Sequence, residues 1–450
     1  MSVLKTIQRL FRSEGRSAIL GKNILASFVL KGISIIISFL LVPITIGYVS
    51  SELYGVWLTL SSIMTWLSFM DVGFTQGLKN KLTEAIAQNN WVRGKSLVST
   101  TYFMMLLIFL PLCAILEFVV PNINWCHILN VNPIYNDEII KTMRVLVAFF
   151  CMQMVINVIV SVVAAFQKVA LSSSFSVIGQ ALAFVVILLL VKLVPPSLTV
   201  LSVVFGGLPV LVTFFASLFL YTGRYRFISP SLSGIKVGLV SDLFNLGYKF
   251  FIINVQAVVL YQSTNFLISY VSSPLAVTSY NIAYRYLNMA MMVFTLITAP
   301  LWPAYTDAYV KDDIQWMNNM RKKMIRVYLL SVLVCVIMAV ISDPVYHLWV
   351  GNKAEVPIIM TIMVMIYVII YCWMNLNGTI LVGIGKVKLE TIMVAIGMII
   401  HLPLSLLLAK YISCYGVLLS MTVITLLYGV VFHIQVNKVL KKEAKGIWNQ

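Results

Sequence analysis

The chain has 450 residues, of which 60% are hydrophobic and only 10% charged; its mean hydropathy is +0.96 and its formal net charge +17. Soluble domains carry about 25% charged residues, so this balance excludes a soluble enzyme or binding module and predicts an all-α polytopic membrane protein. The positive charge does not indicate nucleic acid, because the basic residues fall in short loops on one membrane face rather than in aromatic-interleaved patches.

Residues 1–22 place Val3, Leu4, Ile7, Leu10 and Phe11 at helical spacing, with Lys5, Arg9 and Arg12 elsewhere. Two readings are open: an amphipathic helix on the inner membrane surface, or a solvated basic tail. The segment lacks the continuous apolar core of a signal peptide. The first hairpin then sets the plan of the chain. Residues 23–49 form an apolar span interrupted by Lys31 and Pro43, Ser50-Ser51-Glu52 makes a polar turn, and 53–75 return with Trp57, Trp66 and, near the far end, Asp71. About 20 apolar residues suffice to cross a hydrocarbon core.

Hydropathy predicts twelve spans: 23–49, 53–75, 97–120, 144–166, 169–193, 199–221, 247–271, 276–300, 325–343, 357–380, 389–409 and 415–436. They group as two six-helix bundles, 23–221 and 247–436, joined by a cytoplasmic linker at 222–246 and followed by a cytoplasmic tail at 437–450. On the side of the termini lie 25 basic residues against 5 on the other. Basic loops stay in the cytoplasm, so both termini are expected there, in a multi-pass protein of the inner (plasma) membrane. The one outer loop of any size is 121–143, too small for an extracytoplasmic catalytic domain. Tyr48-Val49-Ser50-Ser51-Glu52-Leu53 recurs as Tyr270-Val271-Ser272-Ser273-Pro274-Leu275, an offset of 222 residues at the equivalent turn of each bundle. Parallel repeats of this sort are a transporter device.

Intramembrane charge is costly and faces a cavity or a partner. Arg285 falls about ten residues into its span, roughly 15 Å deep at 1.5 Å per residue, and a guanidinium there offers a fork of donors to phosphate; a structural ion pair is the rival reading. Lys31 either reaches a central cavity or snorkels to the inner interface. Asp71 either gates the inner side by pairing with a loop cation or caps the following helix. Asn254 and Gln256, with Asn281, Tyr284, Asn288 and further amides on other spans, could line a wet passage that binds sugars, or simply bond between helices. His401 is isolated in its span, a proton carrier or a packed ring.

Cys113, Cys151, Cys335 and Cys372 sit in apolar spans, where a thiol packs as a small hydrophobe; Cys126 and Cys414 fall in outer loops, and no spacing pattern supports a disulfide between them. No cluster has zinc-ligand spacing, and no phosphate-binding loop or dinucleotide fingerprint is present. No metal, cofactor or catalytic residue is therefore expected.

Two runs carry a family resemblance: LVPITIGYVSSELYGVWLTLSSIMTWLSFMDVGF followed by GLKNKLTEAIAQ, and APLWPAYTDAYVKDDIQWM at 299–317. They resemble bacterial polysaccharide flippases of the Wzx (O-antigen) type, in the multidrug/oligosaccharidyl-lipid/polysaccharide (MOP) exporter superfamily. The resemblance implies two six-helix bundles facing each other in a MATE-like V. It implies alternating access, carrying an undecaprenyl-diphosphate-linked oligosaccharide from the cytoplasmic to the periplasmic leaflet for O-antigen, capsule or exopolysaccharide synthesis. Arg285 and Lys31 would then hold the diphosphate or an acidic sugar, with Asn254, Gln256, Asn281 and Tyr284 beside the glycan and Asp71 at the gate. A proton or sodium ion would be the coupling ion, and a polysaccharide polymerase a contact. Two alternatives differ in what they need. A MATE-type drug or cation antiporter wants buried carboxylates, and a membrane polymerase or ligase wants a large outer loop.

Overall fold

A computed structural model describes residues 16–67, 73–244, 263–298 and 301–449. Nearly all of the described chain is helical. Among the described residues nine helices are long and apolar enough to cross a membrane: Val29–Val49, Trp91–Asn122, Pro133–Ala165, Ala170–Leu193, Leu198–Thr222, Ile314–Val340, Ile358–Gly383, Lys388–Ile412 and Cys414–Leu440. Each coincides with a predicted span. The other three predicted spans, 53–75, 247–271 and 276–300, run into residues outside the described set. Phe118, Phe219 and Val340 are each at least 77% exposed. Apolar surface on this scale suits lipid, not water.

The described chain divides into two compact units. The first takes its residues from Met1–Val49, Ile63–His127 and Asn132–Val255; the second from Ser50–Ser62, Ile128–Val131 and Gln256–Gln450.

In the first unit, α1 (Arg16–Val49) leads through Ser50 into α2 (Ser51–Leu67), whose opening turns belong to the second unit. Then come α3 (Phe74–Ala87), α4 (Trp91–Val119), α5 (Trp125–Leu129), α6 (Asn136–Ile156), α7 (Val158–Ala165), α8 (Val169–Leu193), α9 (Leu198–Ser202) and α10 (Leu208–Thr222). Asn90 starts α4 by accepting a hydrogen bond from the Arg93 amide at 3.0 Å, the usual work of an N-cap. α6 breaks from α7 at Asn157, whose side chain accepts from Gln153 at 2.5 Å. α1 packs on α8, and Ser34 donates across to Gln180 at 2.6 Å. At the basic-poor end Tyr48 donates to the Pro195 carbonyl at 2.8 Å and Glu138 accepts from the Leu198 amide at 2.6 Å.

The segment after α10 docks on the other, basic-rich end of this unit rather than hanging free. The Ser231 and Lys236 amides donate to Ser99 and Thr100, each at 3.0 Å, and Arg93 pairs with Asp242 at 3.7 Å. Gly77 is required here because a Cβ would strike the Leu243 carbonyl. Cations crowd this end: burial first, and then the Arg224 charge, push the Lys168 ammonium below the usual lysine range.

The second unit adds α11 (Thr264–Val271), α12 (Pro274–Thr298), α13 (Leu301–Val310), α14 (Ile314–Val340), α15 (Ser342–Val350), α16 (Ile358–Gly383), α17 (Lys388–Ile412) and α18 (Cys414–Leu440). α18 is its central helix, packed on α11, α16 and α17 and 56% buried over its most apolar window. α14 begins eleven residues before the predicted 325, at Ile314. Asp313 caps it by accepting from the Trp316 amide at 2.9 Å, so the helix runs past the apolar stretch that hydropathy detects.

Contacts fix the two ends of this unit. Ser279 donates to the Glu355 carbonyl at 2.7 Å at the basic-poor end, while Lys442 and Asp312 meet at 2.6 Å at the other. There the turn Gly446–Asn449 folds back. Asn449 accepts from Lys386, which is only 8% exposed; Gln435 donates to the Trp448 carbonyl at 3.2 Å; and Lys438 stands 4.1 Å over the Trp448 ring. All six cysteines are free thiols; Cys126 donates to the Asn132 carbonyl.

The repeated turns meet inside the second unit. Thr278 donates to the Ser51 carbonyl at 2.6 Å, and Gly55 leaves room for the Pro274 carbonyl, which any Cβ there would overlap.

Candidate functional site

α12 has the length to span a bilayer but falls outside the apolar set, because polar side chains recur along it. Asn281, Tyr284, Arg285 and Asn288 are spaced three and four apart, which places them on one helical face.

Around that stripe the second unit builds a hydrogen-bonded chain through three helices. Asn281, 9% exposed, donates to the Asn265 side chain at 2.8 Å and to the Val277 carbonyl at 2.9 Å. Asn265 donates to the Ser62 hydroxyl at 2.8 Å, and Ser62 to the Leu58 carbonyl at 2.9 Å. Both donors of Asn281 are used, as burial in a low-dielectric interior demands. A tyrosine ladder flanks this chain. Tyr280 and Tyr284 stand 5.6 Å apart, Tyr284 and Tyr367 6.4 Å, and Tyr367 and Tyr371 6.1 Å.

Arg285 sits one turn beyond Asn281 and is partly buried. Its charge acts on the phenol of Tyr54, a fully buried residue of α2. Three residues further, the Asn288 carbonyl oxygen is buried with no hydrogen-bond partner among the described residues. Tyr286, on the opposite side, donates to the Met338 carbonyl at 3.1 Å and meets Tyr346 edge-on at 5.4 Å. The ring thereby ties α12 to α14 and α15 and fixes which face carries Arg285.

The structure thus brings Asn281, Tyr284 and Arg285 together on one face. Lys31 belongs to the first unit, is exposed on α1 and makes no ion pair among the described residues. Asp71, Asn254 and Gln256 lie outside the described residues. His401 is fully buried, with Nδ1 3.2 Å from the Ser420 hydroxyl and Nε2 without a partner among the described residues.

Several site residues escape sequence reading. Ser62 and Tyr54 matter only through tertiary adjacency, which no local pattern reports; Asn265 was visible as one of the polar residues of the seventh predicted span. Tyr367 and Tyr371 had a signal, an aromatic pair four apart within one span. Glu390 was also passed over: it stands in the first turn of α17 with Oε2 buried and unpartnered among the described residues. No three His, Cys, Asp or Glu side chains among the described residues are placed to hold a metal ion.

No protein-family model matches this sequence, nor does any curated protein. Solved structures do match in fold. An inward-facing multidrug resistance MATE family transporter of the MOP superfamily aligns with a TM-score of 0.74 at 12% identity, covering 93% of this chain and 100% of its own. An outward-facing structure of such a transporter gives 0.62 at 13% identity, covering 96% and 98%. A MOP superfamily transporter from Pyrococcus furiosus, described as having a binding pocket of reverse polarity that suggests a different function, gives 0.63 at 12% identity, covering 98% and 99%. The chain therefore has the MATE-like all-α membrane fold over nearly its whole length.

Proposed function

We propose that this protein is a transporter that turns an undecaprenyl-diphosphate-linked oligosaccharide from the cytoplasmic to the periplasmic leaflet by alternating access. The observation that carries the reading is the polar face of α12, with a guanidinium among amides and tyrosines. A diphosphate needs a cation with directional donors, which arginine supplies as a fork. Sugar hydroxyls need amide partners and aromatic faces, which Asn281, Asn288, Tyr284 and the ladder behind it supply. The polyprenyl tail needs neither and stays in lipid. That one protein of this fold is described with a pocket of reverse polarity is a precedent for reading function from the sign of the charge, and on α12 the sign is positive.

In this reading Lys31 is a second contact to the acidic headgroup, Asp71 a gating residue, and Asn254 and Gln256 further sugar contacts. The protein lies in the inner membrane with both termini cytoplasmic. Deletion of the gene strands lipid-linked oligosaccharide on the inner leaflet and removes surface polymer; normal surface polymer in the deletion overturns the reading.

A drug or cation antiporter is the second reading, and Glu390 favours it, because a buried carboxylate oxygen without a partner among the described residues can exchange a proton for a cation. Proton-driven drug export abolished by Glu390→Gln, with surface polymer normal in the gene deletion, would replace the first reading by this one.

A further inference from the structure

The described residues of the second unit line an open cavity of about 500 Å³ at its basic-poor end. Asp343, Tyr346, His347, Asn352 and Glu355 supply its polar lining. Its size lies within the ~300–1,000 Å³ of small-ligand sites. Asp343 and His347 stand four apart on α15, hence on one face, and the 351–357 segment supplies Asn352 and Glu355. Among the described residues no lysine or arginine lines it, although Lys353 stands in the same 351–357 segment, in a chain whose formal net charge is +17.

Two points of the wall are held by the protein itself. Tyr346 is buried, its hydroxyl lies 3.2 Å from that of Thr361, and its ring rests edge-on against Tyr286. Ser279 pins the opposite wall through the Glu355 carbonyl. Ser279 and Tyr286 are both on α12, so the helix that carries Arg285 also anchors this cavity.

The lining selects a ligand class. Two carboxylates repel phosphate and accept hydrogen bonds; an amide and an imidazole both give and accept them; a tyrosine ring offers an apolar wall. Together they suit a neutral polyhydroxylated ring. We propose that this cavity is a sugar-binding subsite that takes one or two units of the glycan, separate from the phosphate-binding Arg285 face. The proposal rests on the transport reading above for the identity of its ligand. It divides the substrate chemically: the cation takes the headgroup, and the anionic cavity takes sugar and rejects phosphate.

Saturation-transfer NMR on the full-length protein in lipid nanodiscs tests it, with the methyl glycosides of galactose and N-acetylglucosamine as probes, and glucose 1-phosphate and tetraethylammonium as counter-probes. At least one glycoside should receive saturation at least fivefold above glucose 1-phosphate. That signal should fall at least fivefold in Asp343→Asn/Glu355→Gln, with the thermal unfolding midpoint unchanged. Should the double variant not fold, His347→Ala takes its place with the same expectation. No saturation of either glycoside, equal saturation in the folded variant, or displacement of the sugars by equimolar tetraethylammonium overturns the subsite. Transport of lipid-linked oligosaccharide by the wild type, measured separately in proteoliposomes, keeps the two ideas apart. Transport without glycoside saturation removes the subsite alone. Glycoside saturation without transport supports sugar recognition at the cavity and removes the transport reading.

Discussion

Arg285 and Lys31 carry the same charge in different settings. Arg285 is partly buried on the helical face that also carries Asn281 and Asn288, and its charge reaches Tyr54, whereas Lys31 is exposed on a helix of apolar neighbours. A guanidinium can bind a diphosphate bidentately through its planar fork; an ammonium on a flexible stem acts as a point charge. Arg285→Ala should therefore lower proteoliposome transport at least tenfold, equivalent to about 1.4 kcal/mol of lost binding, at unchanged protein level in the membrane. Arg285→Lys should keep part of the rate, and Lys31→Ala should cost less than Arg285→Ala. Full transport by Arg285→Ala would remove that residue from the site. Asn281 invites a different measurement. One of its two donated bonds holds α12 to α11 and, through Asn265, to Ser62; the other returns to the Val277 carbonyl of α12 itself. Interhelical bonds of this kind in membranes are worth about 0.6–1.7 kcal/mol, so Asn281→Leu should lower the thermal unfolding midpoint measurably while Asn281→Gln recovers part of the loss. An unchanged midpoint for Asn281→Leu would mean the chain is not structural.

At the scale of the element, α2 and α12 decide the second unit. The close approach of Gly55 to the Pro274 carbonyl sets the two helices backbone to backbone. Gly55→Ala must push them apart, and Gly55→Leu further, so folded protein recovered after extraction should fall in that order. Equal recovery of all three would show that the approach is not required. These elements also show what could be read in advance. Spans were legible wherever twenty apolar residues ran together, and nine predicted spans match helices long and apolar enough to cross a membrane. The start of α14 was not legible, because Ile314–Arg326 is helical through its cap and not through its hydropathy. Nor could hydropathy report that Ser50–Ser62 joins the second unit, or that the segment after α10 docks on the first. Both depend on partners far away in sequence. The polar stripe on α12 was visible as residues; the Asn281–Asn265–Ser62 chain behind it was not, for the same reason.

At the scale of the molecule, each unit is basic at one end and poor in basic residues at the other. In the first, Arg93, Arg224 and Lys236 gather where the segment after α10 docks, opposite the Tyr48–Pro195 bond. In the second, Lys386, Lys438 and Lys442 gather opposite Glu355. Translocation of each positive loop opposes the charge rule, so both basic ends should remain cytoplasmic. Single cysteines test this directly. Ile134→Cys and Lys410→Cys mark the basic-poor ends, Asn89→Cys and Glu443→Cys the basic-rich ones, and all four positions are exposed. Five native thiols are buried and the sixth, Cys113, lies in an apolar span, so an aqueous reagent has little background to label. A membrane-impermeant maleimide on intact spheroplasts should label the first pair and spare the second until the membrane is opened. The reverse pattern would turn the chain over. The Asp343–Glu355 cavity would then face the cytoplasm, on the side where the substrate is loaded instead of the side where it is released.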